Sequence, residues 1–137
     1  MKKLRVFLFG LFLVAAALIS ASRAFAVDET TWQGYIVDRQ CADSVRQDSD
    51  PEPFVKHHTK DCALMANCKS RGYSIYSNCK WFDLDKHGDQ LAIRLLQASK
   101  RTSGFYVEIR GTSKGSVLKV KKIKEIGEPE AKRPESK

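Results

Sequence analysis

Six side chains between residues 41 and 79 have the chemistry to hold a soft metal ion or to exchange electrons: Cys41, His57, His58, Cys62, Cys68 and Cys79. Thiolates and imidazoles suit zinc or copper, and two thiols can equally close into a disulfide. The spacing selects neither chemistry. There is no Cys-x-x-Cys pair and no Cys-x-x-Cys-His haem attachment run. His58 and Cys62 are the one base-and-nucleophile pair that the sequence brings close, four residues apart. No Gly-x-Ser-x-Gly elbow, phosphate loop or paired-carboxylate motif accompanies them. His87, in a Lys-His-Gly turn, and the alternating Asp83 and Asp85 read as solvated groups. The chain therefore reads as non-enzymatic, with no cofactor.

The redox setting of these thiols follows from the first residues. Lys2, Lys3 and Arg5 precede an apolar run from Val6 to Ile19, and Ala24-Phe25-Ala26 supplies a small-x-small site. This is the pattern of a secretory signal peptide cleaved after Ala26. The run falls short of the ~20 residues that cross a bilayer, so no membrane anchor is expected to remain. Residues 1–26 carry Lys2, Lys3, Arg5 and Arg23 and no acid, so their removal takes the formal charge from +8 to +4. That charge is ordinary for one small domain and argues against a nucleic-acid partner. A periplasmic or secreted chain with four cysteines is read first as disulfide-bonded.

The elements that must position the thiols are mostly strands. After a loose leader over 27–31, residues 32–38 form a β-branched and aromatic strand. Residues 39–54 read as a long surface loop, and Thr59 caps a helix over 60–69 that Gly72 ends. Residues 73–77 and 81–85 alternate as a hairpin. Asp89 opens a helix with the apolar stripe Leu91, Ala92, Leu95 and Leu96, and residues 105–110 form the next strand. The last strand, 117–126, slips phase at Lys121-Lys122, which predicts a bulge there. Residues 127–137 read as a disordered tail. The resulting order predicts a mostly β (α+β) fold: one OB-like five-stranded barrel over 32–126. It has a helix between strands 3 and 4 and a cysteine-bearing helical insertion between strands 1 and 2.

That topology makes a disulfide prediction. If strands 1 and 2 are antiparallel, Cys41, just past one, lies beside Cys68, just before the other. Cys41–Cys68 is thus the expected bridge, with Cys62 the next candidate partner. It would contribute ~2–4 kcal/mol. Cys62 and Cys68 are about 240° apart on a continuous helix and meet only if it breaks. Cys79, in the hairpin, falls at the opposite end of the sheet, over ~10 Å away at ~3.3 Å per residue.

Gly34-Tyr35-Ile36-Val37-Asp38, Cys41, His58-Thr59-Lys60-Asp61-Cys62-Ala63-Leu64-Met65, Cys68, Gly72-Tyr73 and Gly111-Thr112 resemble an uncharacterised family of small exported bacterial proteins. The likeness spans about residues 32–126; its most specific piece is the His-Thr-x-Asp-Cys-Ala-Leu run, and Cys79 departs from its pattern. It implies export and fold but no chemistry. More distantly, the strand order is similar to that of periplasmic bacterial OB-fold stress proteins. The functional expectation is an exported, non-enzymatic binding or envelope-stress module for a small ligand or envelope partner. Its binding surface would comprise the insertion (residues 39–71) together with Tyr73, Tyr76 and Trp81. The alternative is a metal- or thiol-handling protein using Cys62 with His57 and His58. The lysines of the last strand (Lys119, Lys121, Lys122 and Lys124) read as guards of an exposed edge.

Overall fold

The fold is described from a computed structural model over residues 28–129. The expected signal peptide and most of the expected tail lie outside the described residues. β1 (Thr30–Asp38) leads into four short helices, α1 (Arg39–Val45), α2 (Glu52–His57), α3 (Lys60–Ala63) and α4 (Ala66–Arg71). β2 (Tyr73–Ser77), β3 (Lys80–Leu84), α5 (Lys86–Ala98), β4 (Tyr106–Lys114) and β5 (Val117–Glu125) follow. The strands close into an OB-like barrel in the order β1-β2-β3-β5-β4. Four of its seams are antiparallel. The fifth is a short parallel contact of Asp83 and Leu84 with Val117 and Leu118.

Strand alternation builds the interior. Trp32, Ile36, Ile75, Val107, Ile109, Leu118 and Val120 point inward and meet Ala92 and Leu96 of α5. β1 is buried on its other face too. Tyr35 and Val37 pack outward against Ala42 of α1 and Val55 of α2, so the insertion lies on the outside of the barrel wall. Two-sided burial explains why Tyr35-Ile36-Val37 in the second half of β1 are apolar without alternation.

Capping decides where the helices fall, and it departs from the expected boundaries. The span expected to be a surface loop after β1 contains α1 and the first half of α2. Asp38 accepts the Cys41 amide at 3.0 Å and so starts α1. Pro53 sits in the first turn of α2, where its missing N–H costs little. The single helix expected over 60–69 breaks at Leu64-Met65, with Met65 extended at ψ 146°. There the Tyr73 hydroxyl donates to the Ala63 carbonyl at 2.7 Å, the acceptor a continuous helix would have given to residue 67. α5 starts one turn early, capped by Asp85 rather than opened by Asp89. Asp89 accepts the Tyr73 amide instead. β1 begins at Thr30, inside the expected leader, and β4 continues to Lys114. The bulge is real: Arg110 pairs with Lys122 and Gly111 with Val120, leaving Lys121 as the extra residue. The β5 lysines are exposed; β5 is paired on both sides at Val117-Leu118, whereas its lysine-bearing part from Lys119 pairs with β4 alone.

Two features tie the insertion to the barrel. Arg39 donates to the Arg71, Tyr73 and Leu84 carbonyls, at 2.8, 3.3 and 3.0 Å, clasping both ends of the insertion to β3. Arg46, which caps the C-terminus of α1, and the Ser74 hydroxyl both bind the Asp83 carboxylate. Burial alone would raise the Asp83 carboxyl, but Ser74, Arg46 and Arg39 outweigh it and hold it below its ordinary value. Asp83→Asn is expected to cost about 1–2 kcal/mol at pH 7, discounted for partial exposure. The carboxyl titrates near 3.8 when unfolded and lower in the fold. Its contribution is therefore full above about pH 5 and is lost as pH falls through the folded value. Urea titrations at pH 7 and pH 3 check this: the gap between wild type and variant should narrow at the lower pH.

The barrel wall is also tight where β1 passes β2. A Cβ at Gly34 would collide with the Tyr76 backbone carbonyl, which has no flexible end to move aside. Gly34→Ala should destabilise the fold by about 3 kcal/mol or more, read as a lower melting temperature. Gly127, with open space around it, should accept alanine without a shift.

Candidate metal centre

Asp38 closes β1 with no exposure. One carboxylate oxygen, Oδ1, accepts the amide of Cys41 and caps α1. This places Cys41 in the first helical turn, three residues past the cap. The same arrangement recurs twenty-one residues later, where Thr59 caps α3 by accepting the Cys62 amide at 3.3 Å. Two cap-x-x-Cys segments, Asp38-Arg39-Gln40-Cys41 and Thr59-Lys60-Asp61-Cys62, thus present their thiols to one another. The sulfurs are 3.5 Å apart.

His58 comes to the same point from the connection between α2 and α3. Its extended backbone is strapped to the segment before β4: Gly104 donates to the His58 carbonyl at 3.2 Å and Lys60 to the Thr102 carbonyl at 2.8 Å. Thr59 and Ser103 form an antiparallel bridge between these bonds. The imidazole is 5 % exposed, beside the Phe54 ring at a centroid separation of 5.8 Å. Its Nε2 lies 2.8 Å from Asp38 Oδ2. Asp38 Oδ2 and His58 Nε2 thus face one another as a buried pair, and His58 Nδ1 is buried with no hydrogen-bond partner among the described residues. One donor atom each from Asp38, Cys41, His58 and Cys62 lie within 4.8 Å of one another.

Burial, the Cys62 sulfur and the Asp38 carboxylate together push the Cys41 thiol well up. Asp38 runs the other way: burial would raise it, but the His58 imidazole and the Cys41 amide prevail and keep it below its ordinary value. Cys68, 3 % exposed on α4, is raised to about 11 by burial first, then by Asp38 and Cys62. It stands behind the group without joining it.

The structure brings some of the expected residues together and separates others. Cys62 and His58 meet as the metal-handling alternative requires, whereas His57 does not join them. Its Nδ1 is bound to the Pro53 carbonyl at 2.7 Å on the exposed side of α2. The expected Cys41–Cys68 bridge is not formed, and all four cysteines are free thiols. Helical rotation in α1 turns Cys41 towards α3, so its sulfur neighbour is Cys62, the second candidate. Cys79 occupies the two-residue turn from β2 to β3, with Asn78 and Cys79 both at positive φ (50° and 59°), at the far end of β2 from the group. Tyr73 cannot serve a binding surface, because it is fully buried in the core. Tyr76 and Trp81 do pair on the outer face at 5.0 Å, with the Arg46 guanidinium 5.6 Å above the Trp81 ring.

Asp38 is the member that sequence reasoning missed. Its signal was the repeated spacing of a capping residue three positions before a cysteine. As a strand-ending aspartate it reads as a turn residue, and only the fold shows that its second oxygen faces two thiols.

Comparison of the chain with protein-family models, with curated proteins and with solved structures finds no match.

Proposed function

We propose that this chain is an exported, non-enzymatic binding module whose ligand is a thiophilic metal ion, held by Asp38, Cys41, His58 and Cys62. The reading rests on one observation above all. Four donor atoms, one each from Asp38, Cys41, His58 and Cys62, converge within 4.8 Å of one another, with Asp38 and His58 buried and the two sulfurs 3.5 Å apart. A cation among them would engage all four at once, whereas a disulfide between the sulfurs would engage only two.

The donor set favours zinc or copper(I) over magnesium or calcium, which take all-oxygen shells. Two sulfurs of a tetrahedral zinc site stand about 3.8 Å apart, given bonds near 2.3 Å, close to the separation here. The nitrogen and oxygen of such a site stand about 3.4 Å apart. The His58–Asp38 contact would therefore open by about half an ångström as an ion entered. Four protein ligands and no open position describe a structural or storage site rather than a hydrolytic one.

Reduced, metal-free chain should bind one zinc ion, measured by native mass spectrometry and by competition with a chromogenic chelator. Cobalt(II) in its place should give the visible bands of a tetrahedral thiolate site. Cys41→Ala or Cys62→Ala should weaken binding about a hundredfold or more, whereas His57→Ala should leave it unchanged. At a hundred times the dissociation constant, zinc should stabilise the fold by about 2.7 kcal/mol, and excess chelator should remove that gain. Substoichiometric binding, or full binding by the Cys41→Ala/Cys62→Ala double variant, overturns the assignment.

A further inference from the structure

Cys41 and Cys62 are closer to a second chemistry than a metal site requires. Their sulfurs are 3.5 Å apart, and a disulfide bond needs about 2.05 Å, so a closure of about 1.5 Å would join them. Each stands in the first turn of its own short helix, and the two helices are separate segments of the insertion. Both side chains are half-buried, within reach of a small solute, whereas Cys68 beside them is 3 % exposed. Cys79 is exposed but lies in the turn beyond β2.

We propose that Cys41 and Cys62 form a dithiol–disulfide couple, so that a metal ion and a disulfide are mutually exclusive occupants of one site. The oxidant is a peroxide. One thiolate attacks an oxygen of the O–O bond of hydrogen peroxide, which breaks to release hydroxide and leaves a sulfenic acid on that sulfur. The second thiolate then attacks this sulfur, forming the S–S bond and expelling a second hydroxide. Two electrons pass from the sulfurs to the peroxide. The metal ion keeps its charge and loses two of its four ligands, because it binds thiolate and not disulfide sulfur. The couple thus makes the module a donor that yields its ion under oxidising conditions. The release step rests on the metal reading above; the couple itself does not.

The full chain is treated with stoichiometric hydrogen peroxide in two states, metal-free and zinc-loaded. Free thiols are counted, intact mass is measured, and released zinc is followed with a chromogenic chelator. In the metal-free chain, two thiols and two hydrogen masses should be lost. Cys62 and Cys68 share a tryptic peptide, Asp61 to Lys69, so Cys68→Ala identifies the partner: it should still form the bridge. Cys62→Ala should not, and its unchanged circular dichroism should show that it folds. In the loaded chain, one zinc should leave for every two thiols consumed. A bridge that forms in a chain that never bound zinc sinks the metal reading and upholds the couple. Zinc retained after the bridge has formed overturns mutual exclusion. Sulfinic acid in place of a bridge, or a bridge that needs Cys68, overturns the couple.

Discussion

A single carboxylate holds barrel, insertion and candidate centre together. Asp38 has no exposure, and an unpaired buried charge costs several kcal/mol. It survives there because its two oxygens have separate tasks. Oδ1 receives the Cys41 amide, which ends β1, begins α1 and sets the direction in which Cys41 projects. Oδ2 faces the His58 imidazole at 2.8 Å, across the gap between the barrel and the strand-like segment that leads to α3. Removing either task leaves charge in a dry site with no compensation. The position of every donor in the cluster is therefore referred to this residue, directly for Cys41 and His58. Cys62 follows through Thr59, the neighbour of His58 and the cap of α3.

The rest of the molecule stiffens that arrangement from two sides. Beneath it, β1 is buried on both faces, so the strand that carries Asp38 cannot shift register without expelling either Ile36 or Val37 from a core. Above it, Arg39 clasps the start and the end of the insertion to the same barrel end. The Arg46–Asp83–Ser74 network does the same for the far end of α1. Four short helices, of four to seven residues, have little stability of their own. They are ordered by these ties and by the apolar contacts of Ala42, Val55 and Ala63.

What could be read in the sequence was what periodicity controls. Alternation in Tyr73-Ser74-Ile75-Tyr76-Ser77 and in Phe105 to Arg110 located strands, the slip near Lys121 located the bulge, and strand order yielded the OB-like barrel. What could not be read was set by hydrogen bonds between residues distant in sequence. The break after Ala63 depends on the Tyr73 hydroxyl, and the orientation of His58 on a strap to Thr102 and Gly104. Neither leaves a local trace. The cysteine pairing failed for a related reason. Placing Cys41 and Cys68 at adjoining strand ends was sound as topology, but with residues 39–54 taken as a loop the side-chain directions were undefined. Once α1 is a helix, the third residue after its cap has one direction, and that direction is Cys62.

The centre lies where the barrel ends and the insertion begins, and this location has a thermodynamic consequence. Asp38 belongs to the barrel strand, Cys41 to α1, His58 to the connection between α2 and α3, and Cys62 to α3. An ion bound to all four joins pieces that otherwise share only modest apolar contact, so its binding energy is spent on ordering the insertion. The same logic applies to a bond between Cys41 and Cys62, which closes a loop of about twenty residues and constrains the unfolded chain by roughly 3 kcal/mol. Either occupant would stabilise the insertion, though differently: an ion would engage Asp38 and His58 as well as the thiols, whereas a disulfide would leave those two facing each other and constrain only the backbone. A site built from one buried carboxylate, one buried imidazole and two thiols within bonding approach is thus suited to exchange between a satisfied, ion-bound form and a covalently closed form that keeps the fold after the ion has gone.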